Sequence, residues 1–238
     1  MDHHHGQLPY YPECNTGRDD LKPALGWRWS KNQHQQQGAD VRIFLSGPSG
    51  VGKSTIISTI LERNSDFILS VSYTTRPPRK HEVEGKDYFF ITHTQFERMI
   101  DQGAFLEWAH VHNHLYGTSL SWVESEELKG RNILFDIDVQ GVRQAQEIKS
   151  PGCFIFVIPP SMDDLRTRLD KRGTEDENTM KTRLDNARQE LKAWDRYDFL
   201  VVNDTIGSAI QDIQSIIDAC RCSRDEVIKR LPWLLKIG

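Results

Sequence analysis

The stretch Gly47-Pro-Ser-Gly-Val-Gly-Lys-Ser54, GPSGVGKS, narrows the possible folds of this chain more than any other. It has the full G-x-x-x-x-G-K-S spacing, follows the apolar run Val41 to Ser46 and opens a segment, Lys53 to Arg63, that reads as a helix. A strand, a glycine turn and a helix in that order aim successive backbone N–H groups at phosphate oxygens, and the helix N-terminus adds partial positive charge. Gly47, Pro48, Ser49, Gly50, Val51, Gly52, Lys53, Ser54 and Thr55 are therefore the candidates to hold ATP. In these roles Lys53 bridges the β- and γ-phosphates and Ser54 is a ligand of Mg2+.

The chain after residue 40 alternates strand and helix signals. Strands are expected at Val41 to Ser46, Phe67 to Ser72, Tyr88 to Ile91, Phe105 to Val111, Asn132 to Ile137, Phe154 to Ile158 and Phe199 to Val202. Helices are expected over Thr94 to Gln102 and Ser119 to Lys129, each stopped by a glycine, and after a capping box at Ser161 to Asp164. Continuous apolar strands such as NILFDI and FIFVI predict a parallel sheet covered on both faces, so the fold class is α/β. Residues 1 to 40, with HHH at His3 to His5 and QHQQQ at Gln33 to Gln37, lack apolar periodicity and read as a disordered extension.

The formal net charge of -4 offers no basic excess to draw the whole protein onto nucleic acid or anionic lipid. No run approaches the ~20 apolar residues of a membrane span, and no secretory leader pattern opens the chain. Four cysteines, Cys14, Cys153, Cys220 and Cys222, lack the paired spacing of a zinc site, which predicts reduced thiols in a cytoplasmic protein.

Two further groups carry chemistry. Asp136, at the end of NILFDID, stands where a carboxylate orients Mg2+ or its water, and Asp138 follows two residues on. Arg76 and Arg79 flank two prolines in SVSYTTRPPRK, a stiff extended loop from which both guanidinium groups converge on one anion. Tyr88 and Tyr116 supply hydroxyls to complete a phosphate cradle. On the residues alone, this describes a triphosphate binder with a second phosphate site and leaves the acceptor open.

GPSGVGKST, SVSYTTRPPR, GKDYFF, FLEWA, YGTS, DIDVQG, RLDKRGTE and VND, in this order, resemble the guanylate kinase family from about Val41 to Cys222. The resemblance implies a P-loop NTPase fold with a parallel core sheet covered by helices, a GMP-binding subdomain of short strands over about 72–118, and a helical lid over about 161–192. It implies that Arg76, Arg79, Tyr88 and Tyr116 hold the GMP phosphate. Ser72, Glu107 and Thr118 meet the guanine base, and Asp138 is placed with the GMP-binding residues. One carboxylate can accept from both the N1–H and the 2-amino group of guanine, a donor pair adenine lacks. Glu107 is thus the expected base reader. Catalysis falls to Lys53, Arg172, Arg183 and Asp136, with Asp136 reaching Mg2+ through water, Gly173 as a lid hinge and Asn203 near the adenine and phosphate loop. The lid segment Ser161 to Lys192 is charge-balanced, eight Lys plus Arg against eight Asp plus Glu, and does not read as a nucleic-acid patch.

The activity implied is phosphorylation of GMP and dGMP by ATP with Mg2+. The alternatives are a non-catalytic guanylate kinase-like module that binds phosphopeptides, or a kinase for another nucleoside monophosphate. ATP and GMP are the expected partners, with no nucleic acid and no membrane. The C-terminal segment 223–238, with Val227, Ile228, Leu231, Leu234 and Leu235 at helical spacing and a break near Pro232, reads as a helical tail packed on the core, a homo-oligomer contact being the other option.

Overall fold

The computed structural model describes residues 41–111, 113–170 and 177–237. The expected N-terminal extension, Arg172 and Gly173 lie outside them.

The core is a five-stranded, all-parallel sheet in the order β2 (Phe67–Leu69), β7 (Asn132–Asp136), β1 (Arg42–Ser46), β8 (Cys153–Ile158), β9 (Phe199–Val202). Along β1, side chains alternate between two apolar layers as the pleat requires. Ile43 and Leu45 face a cluster built with α1 (Lys53–Arg63) and α7 (Ile206–Arg221). Phe44 faces the other, built with Val123 of α3 (Leu120–Leu128) and Val142 and Ala145 of α4 (Val139–Glu147). Across that second face Phe44 stacks between its direct strand partners Phe135 and Phe154, with ring centroids 4.4 and 4.5 Å away. The parallel sheet covered on both faces is as the sequence predicts.

A second, mixed sheet runs β4 (Phe89–Phe90), β3 (Tyr73–Thr74), β6 (His114–Ser119), β5 (Phe105–Val111), closed beneath by α2 (His93–Asp101). Here the strand expectations need correction. The run Phe67 to Ser72 is a strand only to Leu69, and the run Tyr88 to Ile91 only at Phe89–Phe90. β3 and β6 had no counterpart in the strand list, because two-residue strands and a Gly-containing hairpin arm carry little apolar alternation. Thr92 opens α2 with a capping box to Gln95, and Ser161 caps α5 (Met162–Asp170) through Asp164 as predicted.

α5 packs on α6 (Glu177–Leu191) through Leu165, Leu169, Met180 and Ala187. The chain ends in α8 (Arg224–Arg230) and a 3-10 turn, Pro232–Lys236. Val227 and Ile228 are partly covered, but Leu231, Leu234 and Leu235 are exposed, so the expected packing of that segment stops before Pro232. Among the described residues no helix is long and apolar enough to cross a membrane.

Candidate active site

The phosphate loop lies between β1 and α1. Gly50 and Gly52 adopt φ of +88° and +102°, a region costly to any residue with a Cβ. A Cβ on Gly50 would meet Leu169 Cδ2 at 2.6 Å, and one on Gly52 would meet Asn203 Nδ2 at 2.7 Å. Gly52 is also the N-cap of α1 and supplies no side-chain cap, which leaves the first-turn N–H groups to a ligand. Asn203, nearly fully buried, donates through Nδ2 to the Val51 carbonyl at 2.7 Å. Arg168 of α5 donates to the carbonyls of Asn203 and Asp204, tying that helix to the same corner.

A cavity of about 330 Å³ opens above the loop, bordered by Gly47 to Gly50, Gly52, Lys53, Ser54, Asp136, Ile137, Asp138 and Glu190. Val51, Thr55 and Asn203, expected at ATP, do not border it. Val51 is buried beneath the loop, Thr55 lies exposed on the first turn of α1, and Asn203 acts through Val51. Lys53 folds back to donate to the Gly47 carbonyl at 2.6 Å.

Asp136 reaches the cavity because β7 pairs with β1 so that Asp136 stands beside Leu45. Burial raises its pKa, and the nearby Lys53 ammonium opposes that rise. The hydroxyl of Ser54 and the carboxylate of Asp136 are hard oxygen donors, and among the described residues no group of three or more His, Cys, Asp or Glu converges. That donor set fits Mg2+, which keeps waters and takes its other ligands from phosphates rather than from a protein cage. Asp138 caps α4, its Oδ1 accepting from the Gln140 and Gly141 N–H groups at 2.9 and 2.8 Å, a role the sequence reading omitted.

On the opposite side, β5 and β6 pair Glu107 with Thr118. Glu107 is buried, and its Oε1 accepts from both Thr118 N–H (3.0 Å) and Thr118 Oγ1 (2.6 Å). Burial is the main force raising its pKa to about 7; the Thr118 hydroxyl opposes the rise, and the charge of Asp138 adds to it. Oε2 faces α4, where a Cβ on Gly141 would stand 3.0 Å from it. Gln144, one turn on, takes the Trp108 N–H at 2.9 Å and donates to the Trp108 carbonyl at 2.6 Å, so α4 clamps the strand that carries Glu107. Ser72 Oγ lies 3.5 Å from Thr118 Oγ1.

The two guanidinium groups do not converge as expected: the Arg76 guanidinium and the backbone N–H of Arg79 meet at a carboxylate the sequence reading did not single out. Glu82 accepts from Arg76 Nη1 and Nη2 at 2.9 and 2.7 Å and from the Arg79 N–H at 2.7 Å. This pairing holds the Glu82 carboxyl down at about 2 and raises the pKa of Arg76. Arg76 Nε donates to Tyr116 Oη at 3.2 Å, and the guanidinium lies 5.3 Å from the ring centre of Tyr88, which meets Tyr116 edge-on. The Arg79 side chain is exposed on the loop. A carboxylate three residues past the second arginine was the available signal for Glu82.

Of the arginines expected in a lid, Arg183 reaches the phosphate loop, donating through Nη2 to Ser49 Oγ at 2.8 Å. Arg172 lies outside the described residues. Glu190, also unforeseen, enters the cavity from the end of α6.

A family model described as guanylate kinase matches residues 40–220. The guanylate kinase of Thermotoga maritima is 49% identical over 175 residues, which covers 74% of this chain and 84% of that protein. That of Rhizobium etli is 47% identical over 206 residues, covering 86% and 91%. The crystal structure of guanylate kinase from Anaplasma phagocytophilum superposes with a TM-score of 0.61 at 30% identity, covering 84% of this chain and 99% of that one.

Proposed function

This chain belongs to the guanylate kinase family, and from that premise we propose how its residues move the γ-phosphoryl group of ATP to GMP, giving ADP and GDP. The observation that carries the assignment is Glu107: a buried carboxylate with one oxygen fixed by Thr118 and the other, beside Gly141, not engaged by it. Guanine presents two adjacent donors to such an acceptor, and a base without them would leave it unpaired. Arg76, Arg79, Tyr88 and Tyr116 hold the GMP phosphate, Ser72 and Thr118 flank the base, and Asp138 borders it from the start of α4. These side chains recognise base and phosphate rather than ribose, so dGMP is accepted as well.

On the donor side, the loop amides from Gly47 to Ser54 surround the ATP phosphates, and Lys53 swings from the Gly47 carbonyl to bridge the β- and γ-phosphates. Asn203 keeps the loop in shape through Val51. Ser54 and Asp136 would hold Mg2+, Asp136 through water, and the ion would neutralise phosphate charge. Arg183, with Arg172 from the neighbouring segment, brings positive charge to the group in flight, and α5 and α6 exclude water from it. The transfer is direct and in line, with no phosphoenzyme.

The catalytic domain spans about 41–222, with the GMP-binding region at about 72–118, the lid at about 161–192 and a tail at 223–238. The free thiols of Cys153, Cys220 and Cys222 accord with a cytoplasmic setting, without nucleic acid or membrane as partner. A coupled assay with ATP and a panel of nucleoside monophosphates tests the assignment. GDP formation from GMP, far above any turnover of AMP, CMP or UMP, is expected. A folded protein without turnover would make it a binding module, and a preference for another monophosphate would overturn the role of Glu107.

A further inference from the structure

The cavity that receives the ATP phosphates already contains an anion. Glu190, half-buried near the end of α6, borders the same space as Gly47, Gly50 and Lys53. Its carboxylate faces the Ser49 side of that space, where the loop amide and the Lys53 ammonium favour its charged form while burial opposes it. Earlier on the same helix, Arg183 donates to the Oγ of that same serine. Seven residues make close to two helical turns, so Arg183 and Glu190 lie on one face of α6, the first bonded to Ser49 and the second bordering the cavity that Ser49 lines.

The two have opposite relations to a triphosphate. Arg183 attracts it. Glu190 repels it and stands in the cavity of the very loop whose amides are built to bind anions. Lys53 feels the carboxylates of both Asp136 and Glu190, so part of its attraction for phosphate is spent inside the protein. The geometry points to Glu190 as a built-in competitor: it fills part of the N–H nest that a terminal phosphate would use, weakens ATP binding, and must give way along α6 as ATP enters. Because Arg183 sits on the same face, the movement that withdraws Glu190 also shifts the cation that meets the γ-phosphate. Helix α6 thus exchanges its own negative charge for that of the substrate, which favours nucleotide release once the phosphoryl group has left.

This inference rests on the assignment of ATP to the loop. The contrary possibility is a brace: Glu190 steadies Ser49 and so helps ATP bind. Glu190→Gln separates the two, because the amide keeps the shape and an acceptor for the Ser49 N–H but loses the charge. Binding of a non-hydrolysable ATP analogue is measured by calorimetry in the presence of a chelator, with GMP binding as a check on folding. In an open, water-filled cavity one like charge about 4 Å away is worth about 1 kcal/mol, so Glu190→Gln should bind the analogue about three- to tenfold more tightly. GMP affinity should not change, and the gain should shrink in high salt. Glu190→Ala should shift affinity in the same direction. Equal or weaker analogue binding by Glu190→Gln, or weaker binding by Glu190→Ala, would overturn the inference and leave the brace. Failure of the unaltered chain to bind the analogue, with GMP still bound, would overturn the ATP assignment instead.

Discussion

Replacing Glu107 by Gln tests the base site through its hydrogen-bond directions. Oε1 already receives two donors, the N–H and the hydroxyl of Thr118. The backbone N–H can only donate, so the glutamine carbonyl must stay there, and the NH2 group replaces Oε2, the oxygen Thr118 leaves available to the donors of guanine. Donors then face donors in a buried site. Loss of charge-assisted bonds at about 1.5–3 kcal/mol each, with unpaired donors left behind, predicts a fall of about 10² to 10⁴ in kcat/KM for GMP. The KM for ATP should stay within about twofold. Adenine carries an acceptor at N1, so the ratio of GMP to AMP turnover should collapse. Steady-state kinetics with both acceptors reads this out; equal losses for ATP and GMP, or a fall under about threefold, would refute the reasoning.

The same variant has a pH signature. Burial pushes the Glu107 carboxyl up to about 7, and its protonated form sets an O–H donor against the donors of guanine, so kcat/KM for GMP should climb to a plateau above pH 7 and drop up to about tenfold per unit below it. In Glu107→Gln that step should vanish, leaving the ionisation of the GMP phosphate near pH 6.

Stability should carry the opposite trend. The folded chain holds the Glu107 proton more tightly than an unfolded carboxyl near 4.5, so the melting temperature should decline as pH rises from about 4.5 to about 7, and Glu107→Gln should flatten that decline. Gly141→Ala puts a methyl about 3.0 Å from Oε2 of Glu107 and should raise the KM for GMP while sparing that for ATP; an unchanged KM would show that Glu107 moves aside at no cost. Glu82→Gln removes the charge of the bidentate contact on Arg76 and one of its two acceptors, and should raise the KM for GMP about tenfold if Glu82 orients the guanidinium, whereas a lowered KM would mean that it only competes with phosphate. Asn203→Ala leaves the Val51 carbonyl without its partner, which predicts a loss of about 1–3 kcal/mol in chemical denaturation and a weaker KM for ATP.

Elements with a strong local signature were legible in the sequence. The helix Lys53–Arg63 was bounded correctly because a glycine N-cap and a motif fix its start, and the buried strands β1, β7 and β8 announced themselves as unbroken apolar runs. β3, two residues long, exists only because Tyr73 and Thr74 find partners in two other strands, and nothing local records that. The same division holds in the site. Lys53, Ser54 and Arg76 stand in spaced patterns, whereas Glu82, Glu190 and the clamp of Gln144 on Trp108 acquire meaning only when distant segments meet. Asp138 shows both sides: its place beside Asp136 was visible, but its work as a helix cap depends on where α4 begins.

Helix α4 starts three residues after Asp136, leaves room for Glu107 at Gly141 and grips the backbone of Trp108 at Gln144. At 1.5 Å per residue the helix rises about 8 Å from its start to Gln144, so a short length of rigid helix separates the end next to Asp136 from the residues that meet the base strand. It works as a fixed gauge block: the distance from base reader to phosphate loop is machined into one rigid rod rather than held by two independent walls. The compliance of the acceptor site then lies in the loop that carries Arg76 and Arg79. Redesign for a different base must recut the rod at Gly141 and Gln144 as well as the strand it measures.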